Sequence, residues 1–344
     1  MDIAYLIKPK NKNLHTFSLS FYNFFLEFNL EDVKLINKNH IWSIPLKLLK
    51  IDFKKEVSIF FFSTQPEYVM LILLVRLVSY ISKIKIVVYH QMHEPYYEKG
   101  RAGLRTSFLL YILNLLISHL SDRIILPSEQ AVSKAKRFVR SEKIVQLNLT
   151  FPTSMQRRKF SENIRILKSS WNENKKYALI GGTAPDRNPE GFLRLADLSH
   201  KNYPGAAKFI RAGVDKDVNI DYRKPGVIQF SGYILDEAKE FLLSLTHIVV
   251  IPYEFSTQSA VIPESLMHGK LLIVNDIPAF DYLKSSEFTF VVDFNSSSEL
   301  SDCLEKIQEI SVEEYEKLCC LAIDYFYQNH SERYLVKQMK KILL

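Results

Sequence analysis

The stretch from Ile251 to Leu283, IPYEFSTQSAVIPESLMHGKLLIVNDIPAFDYL, constrains the fold more than any other part of the chain. It opens on the end of an apolar run, His247–Tyr253, that is short enough for one buried strand. A polar turn follows at Glu254–Ser259, and Pro263 and Glu264 are expected to open a short helix. Gly269 fits the position just past that helix, where glycine is favoured. Leu271–Val274 reads as the next strand, and Asn275–Pro278 turns out of it. Strand, turn, helix and strand in this order make a parallel βαβ unit. Such a unit presents backbone N–H groups to an anion at the carboxyl ends of its strands. Glu264, beside those amides, can accept hydrogen bonds from sugar hydroxyls. Amides for a diphosphate and a carboxylate for a ribose suit a nucleotide, although a capped helix in an ordinary βαβ turn has the same pattern.

The rest of the chain repeats the theme. Ile3–Ile7, Asp32–Ile36, Val57–Ser63 and Lys85–Tyr89 are apolar enough for buried parallel strands, and Asp122–Pro127 and Val145–Pro152 continue the series. Between them, Thr16–Phe28, Pro66–Ile81 and Leu104–Leu120 read as helices, the first with Phe17, Phe21, Phe24 and Phe25 near one face. Ser128 is placed to cap the helix after the fifth strand. Thr153–Asn174 is polar and reads as a linker. A second series begins with Lys176–Ile180, then Gly181-Gly182, a turn, and a helix from Pro189. This is a phosphate-binding layout, with Arg187 just before the helix. Ala207–Gly213, Val227–Tyr233 and Phe288–Val292 add strands, Glu237–Ser244 a helix, and Ser298–Leu344 a helical end. The expected fold class is α/β, with two doubly wound parallel sheets.

Ionisable groups gather where strands end. Lys85–Tyr89 runs into His90-Gln91-Met92-His93-Glu94-Pro95, at the carboxyl end where α/β sheets place ligands. His93 and Glu94 are therefore candidate catalytic residues, and a plain turn is the alternative. Two histidines three apart without a third ligand argue against a metal. The Asp-x-Asp at Asp215–Asp217 reads as a solvated loop rather than a metal–diphosphate site, so no metal and no cofactor are expected.

Charge is uneven. Residues 1–150 hold 21 Lys and Arg against 12 Asp and Glu, and the remainder holds 24 against 26. A basic half points to nucleic acid or an anionic membrane surface. The chain has no helix-turn-helix, zinc-ligand or RNA-binding signature, so a peripheral membrane contact is the better expectation. Tyr96, Tyr97, Lys99, Arg101 and Arg105 lead into the apolar run Leu104–Leu120, as such a contact would need, while Lys134, Lys136, Arg137 and Arg140 add a basic face. That run carries Asn114 and His119, and Tyr68–Ile81 carries Arg76, so neither reads as a spanning helix. Cys303, Cys319 and Cys320 read as buried apolar residues of a reducing compartment. The amino terminus lacks the apolar core and cleavage site of a signal peptide. A cytoplasmic location, at the inner face of the membrane, is expected.

The order of these parts resembles the GT-B glycosyltransferases, especially glycosyltransferase family 4 and its bacterial surface-polysaccharide relatives. The resemblance rests on His93-Glu94-Pro95, Ser128-Glu129, Gly181-Gly182 with Arg187, Gly232-Tyr233 with Asp236-Glu237, and Gln258-Ser259-Ala260 with Glu264 and Gly269-Lys270. It covers roughly residues 85–140 and 176–290. The family pattern Glu, seven residues, Glu keeps its second member in Glu264 and has Ser256 in place of the first. The resemblance implies two Rossmann-like domains facing a cleft. Residues 1–155 would bind the acceptor, 170–325 the nucleotide sugar, and 326–344 would form a helix packing back on the first domain. It implies transfer of a sugar from a nucleotide diphosphate sugar to a saccharide or lipid-linked saccharide hydroxyl, in building a capsule or lipopolysaccharide. Gly182, Arg187, Tyr233, Gln258, Ser259, Ala260 and Glu264 would hold the donor, and His93 and Glu94 would line the acceptor side. A non-catalytic nucleotide-binding partner and a nucleotide-sugar epimerase of the same fold remain alternatives.

Overall fold

The computed structural model describes residues 3–7, 21, 32–36, 38–92, 95, 104–151, 164–165, 167–182, 184–215, 220–256 and 259–343. The chain divides into two units, Met1–Thr153 with Asn329–Leu344, and Ser154–Gln328. The loop Lys8–His15, the helix expected at Thr16–Phe28 (Phe21 apart), His93, Glu94, most of the expected linker and Gln258 lie outside the described residues.

The first unit holds β1 (Ile3–Ile7), β2 (Asp32–Ile36), α1 (Ile44–Leu48), β3 (Glu56–Phe61), α2 (Pro66–Ser82), β4 (Lys85–Gln91), α3 (Leu104–Leu120), β5 (Arg123–Leu126), α4 (Glu129–Ala135) and β6 (Ile144–Gln146). Its strands form one sheet in the order β2-β1-β3-β4-β5-β6, and every pairing is parallel. From β2 onward each crossover steps the same way along the sheet. The right-handed rule therefore puts α1, α2, α3 and α4 on one face. The side-chain alternation of β3 agrees. Val57, Ile59 and Phe61 join Tyr68, Leu71 and Val75 of α2 in a buried cluster. Phe60 and Phe62 instead meet Phe21, at 5.7 and 5.3 Å between ring centroids, and Phe60 stacks on Tyr89 at 4.4 Å.

The second unit holds β7 (Lys175–Ile180), α5 (Pro189–Asn202), β8 (Ala207–Gly213), β9 (Val227–Ser231), α6 (Asp236–Leu245), β10 (Ile248–Ile251), α7 (Val261–Met267), β11 (Leu271–Asn275), β12 (Thr289–Val292), α8 (Ser297–Glu309) and α9 (Val312–Asn329). The sheet order is β12-β11-β10-β7-β8-β9, again parallel throughout. The α/β doubly wound reading thus holds for both sheets. Trp171 anchors the start of this unit: it is fully buried, stacks on Tyr315 at 4.1 Å, and donates from Nε1 to the Ile310 carbonyl at 2.9 Å. His247 lies edge-on to Trp171. Its Nδ1 accepts from the Lys176 amide, so its Nε2 carries the proton and donates to the Leu167 carbonyl. Burial drives this imidazole down to about 3, so it is neutral at physiological pH.

The helical end, expected at Ser298–Leu344, comprises three helices. It breaks at Ile310 and again before α10 (Glu332–Leu343). At the second break His330 and Ser331 join the first unit. The Phe151 amide donates to the His330 carbonyl, Phe151 bridges Ser331, and the His330 ring bonds the Leu149 carbonyl at 2.8 Å.

Other expectations are corrected. The helix after β10 opens at Val261, two residues before Pro263, because Pro in a first turn sacrifices no intrahelical bond. Lys134 is buried against the sheet instead of joining a basic face. Cys303 and Cys319 are buried, but Cys320 falls on the outer side of α9 and is exposed.

Candidate active site

In the second unit the chain runs from β7 outward to β8 and β9, then returns to β10 on the other side of β7. The strand order therefore reverses between β7 and β10. A crevice forms at such a point at the carboxyl ends, where α/β sheets bind ligands.

The β7 end is built for close approach. Gly213, at the end of β8, has φ +142°, and a Cβ there would lie 2.0 Å from the Gly181 carbonyl oxygen. Only glycine fits. Beneath this contact Arg211 is fully buried. It donates to the carbonyls of Gly181 at 3.0 Å and Val214 at 3.3 Å, and pairs with Asp215 Oδ1 at 2.7 Å. Asp215 is thereby a structural counter-ion and not part of a solvated loop; Asp217 lies outside the described residues. Burial of an arginine demands this many partners, and the result is a rigid floor under Gly181 and Gly182.

Above that floor, Pro185–Arg187 forms a single 3-10 turn. Asn188 follows at φ +44°, and its Oδ1 caps α5 by accepting from the Gly191 amide at 2.9 Å. A non-glycine residue in this conformation is uncommon, and its cost is met here by the cap. The turn sets the Arg187 guanidinium over the Tyr253 ring, 4.0 Å from its centroid. Tyr253 is buried just past β10. The Glu254 amide donates to the Asp186 carbonyl at 3.0 Å, and Asn275 Nδ2 donates to the Tyr253 carbonyl at 3.0 Å. The ends of β7, β10 and β11 are thus tied together around Arg187. Among the described residues Arg187 has no carboxylate partner: a half-buried guanidinium at the switch point is open to an anion.

The second feature is a pair joining the first turns of α6 and α7. Lys239 Nζ lies 2.5 Å from Glu264 Oε1 and 3.7 Å from Asp236 Oδ1. Burial raises the Glu264 carboxyl above its usual range, and Lys239 partly offsets this. Burial also disfavours the Lys239 ammonium, but Glu264 and Asp236 together hold it above its ordinary value. Both helices follow strands of a parallel sheet, so the pair sits at the ligand-bearing end. Ser259 and Ser256 are buried in the turn before α7, and Ala260 is its N-cap residue. Tyr233 is exposed beyond the edge strand β9, two strands from β7. The structure therefore places Gly182, Arg187, Ser259, Ala260 and Glu264 around the β7 and β10 ends, and Tyr233 at the rim. Lys270 is elsewhere. It immediately precedes β11, at the opposite end of that strand, and burial brings its ammonium down to about 7.

In the first unit His90 is buried at the end of β4. Thr64 donates to Asn114 Oδ1 at 2.7 Å, so its oxygen is left to accept from His90 Nε2 at 3.2 Å. Asn114 Nδ2 in turn donates to the Pro95 carbonyl at 2.9 Å. This chain of bonds ties Pro95 to the end of β4; His93 and Glu94 lie outside the described residues. Among the described residues no cluster of three or more His, Cys, Asp or Glu side chains could hold a metal ion.

Sequence reasoning missed Tyr253, Lys239 and Arg211 as parts of the second unit's site, and Asn114 as the partner of Pro95 and Thr64 in the first unit. Asn114 left a signal, as a polar interruption of an apolar helix. Lys239 and Arg211 left none, because their partners come from distant segments.

No protein-family model matches the sequence, and no curated protein sequence matches it. Solved structures match along the whole chain. The fold is that of the GT-B glycosyltransferases. The chain is similar to Anabaena HepE in complex with UDP and glucose, with 11% identity, TM-score 0.63, and coverage of 100% of this chain and 99% of that one. It is similar to a sucrose-phosphate synthase from Thermosynechococcus elongatus, with 10% identity, TM-score 0.67, and coverage of 100% and 98%. It is similar also to the N-terminal domain of Candida albicans trehalose-6-phosphate phosphatase, with 10% identity, TM-score 0.65, and coverage of 99% and 96%.

Proposed function

We propose that the chain is a glycosyltransferase that moves a sugar from a nucleotide diphosphate sugar to a hydroxyl of a saccharide acceptor. The observation that carries this reading is Arg187, an arginine with no carboxylate partner among the described residues, stacked on Tyr253 at the switch point. HepE, similar in fold, has been crystallised with UDP and with UDP-glucose, which supports a nucleotide sugar as donor. In the reaction the bond from the anomeric carbon to the diphosphate oxygen breaks, and the diphosphate leaves with the electron pair. The acceptor hydroxyl oxygen bonds the same carbon and gives its proton to the departing diphosphate oxygen. Arg187 stabilises the charge that develops on the diphosphate. Glu264 accepts hydrogen bonds from the ribose hydroxyls, with the Lys239 ammonium beside it favouring the carboxylate against burial. These cations make the reaction metal-independent and cofactor-free in this reading. His93 and Glu94 are proposed to line the acceptor side. The acceptor is proposed to be lipid-linked, in surface-polysaccharide assembly at the inner face of a membrane.

The test is release of nucleoside diphosphate from UDP-, GDP- and ADP-sugars, with lipid-linked saccharide acceptors present. One donor class should turn over, and Arg187→Ala should slow it by a factor on the order of 100. Binding without turnover of any donor would favour the non-catalytic reading, for which Ser256 in place of the first family glutamate speaks. Conversion of the donor sugar to its epimer would favour an epimerase.

A further inference from the structure

The outer surface of the first unit poses a problem that its own core does not solve. Helix α2 buries Tyr68, Leu71, Ile72, Val75 and Val78 against the sheet. Its opposite side carries Met70, Leu73, Leu74, Leu77, Tyr80 and Ile81, all exposed, with Tyr80 at 85%. These recur at helical spacing and form one continuous stripe. The helix contains a single basic residue, Arg76, and it turns inward. Its guanidinium donates to the carbonyls of Leu120 and Ile86 and pairs with Asp122 at 2.7 Å. The outer stripe is left without charge. A helix apolar on every side is normally covered on every side, and this one lies on the surface.

The neighbours extend the patch. Helices α1 and α3 pack on either side of α2. On α1 Leu46 is exposed, with Trp42 just before the helix and Leu49 just after it; on α3 the exposed side chains include Phe108, Leu109 and Leu116. A contiguous exposed apolar surface of this kind marks a protein or membrane contact. The rim chooses between them. Lys47, Lys50 and Lys54 are exposed around α1, Lys83 just past α2, and Arg105 at the start of α3. The acids of these segments are fewer: Asp52, which accepts from the Lys54 amide, and Glu67, half-buried in the first turn of α2. Two copies docked through this face would set lysine against lysine. An anionic bilayer would meet the lysines with phosphate and the stripe with acyl chain. Among the described residues no helix is long and apolar enough to cross a membrane, so the helices would lie in the interface.

We propose that the outer face of α1, α2 and α3 is a docking surface for an anionic lipid bilayer. The proposal deepens the lipid-linked acceptor reading and rests on it for its purpose. Its test involves neither donor nor turnover, so either can fail alone.

The experiment is co-sedimentation of the full chain with vesicles of phosphatidylcholine alone and of phosphatidylcholine mixed with phosphatidylglycerol. Tryptophan emission is followed in parallel. Trp171 is buried in the second unit and Trp42 is 49% exposed beside α1, so a shift to the blue on adding vesicles reports Trp42. Binding to the mixed vesicles is expected, and it should weaken with salt. Lys47→Ala with Lys50→Ala should lower partitioning by about tenfold or more, at roughly 1 kcal/mol per lysine. Leu73→Ser with Leu77→Ser should do at least as much, with an unchanged melting temperature because both side chains are exposed. Equal binding to neutral vesicles, or no loss in the leucine variant, would overturn the proposal. So would dimerisation in solution that the leucine variant abolishes, since the face would then belong to a second copy.

Discussion

Replacing Lys270 by Met should stabilise the protein at pH 7 and leave nucleotide binding unchanged. Lys270 is 1% exposed, just before β11. Burial lowers its ammonium from 10.5 to about 7, with the Cys319 thiol raising it slightly. A group whose folded pKa is depressed binds fewer protons folded than unfolded, so stability rises with pH across that interval. At 1.36 kcal/mol per unit, the protonated form costs roughly 4–5 kcal/mol well below pH 7, and most of this is recovered by pH 10. Met fills a similar volume without a charge, so the variant should gain about 2–4 kcal/mol at pH 7, shrinking toward zero near pH 10. Urea denaturation from pH 6 to pH 10, followed by emission of Trp171 in the same unit, gives both curves. A gain that does not shrink with pH would refute the reasoning. So would a loss of nucleotide affinity, because Lys270 lies at the end of β11 opposite the switch point.

Three buried histidines set the acid limit. His247 and His268 are brought down to about 3 and His330 to about 4, each by burial. The unfolded chain takes up these protons near pH 6.5, so stability should fall below that pH, at up to roughly 4 kcal/mol per unit; a flat denaturation midpoint between pH 6.5 and 5 would sink this. Gly213→Ala should cost about 3 kcal/mol or more, since its Cβ meets the Gly181 backbone, and a melting temperature within a degree or so of wild type would contradict the close approach. Trp171→Ala should cost about 3–5 kcal/mol, measured by urea midpoint; a cost below about 1 kcal/mol would mean that Trp171 is not the anchor of its unit.

Both sheets were legible in the sequence because their strands are short apolar runs bounded by turn residues. Ile3–Ile7, Asp32–Ile36 and Ala207–Gly213 are found at their expected bounds. Helices were less sharp where the first turn carries no cap: α7 starts at Val261 without a side-chain cap bond, and only Pro263 marked it. Arg187 and Glu264 could be read from local order, strand to turn to helix. What surrounds them could not. Lys239 reaches Glu264 across 25 positions, and Arg211 holds the Gly181 carbonyl across 30. Such partners follow from the order of strands, which a local pattern does not contain. The outer face of α2 was hidden for a related reason. An apolar run reads as core, and only the structure shows which half of the run has a core to face.

The proposed reaction depends on the β7–β10 switch point binding a nucleoside diphosphate through Arg187. Calorimetric titration of the full chain with UDP, GDP, ADP and CMP, repeated on Arg187→Ala and Glu264→Ala, tests it most directly. The account predicts that one nucleoside diphosphate binds, that Arg187→Ala weakens it by about tenfold or more, and that Glu264→Ala weakens it as well. Binding of no nucleotide, or binding that neither substitution weakens, would contradict it.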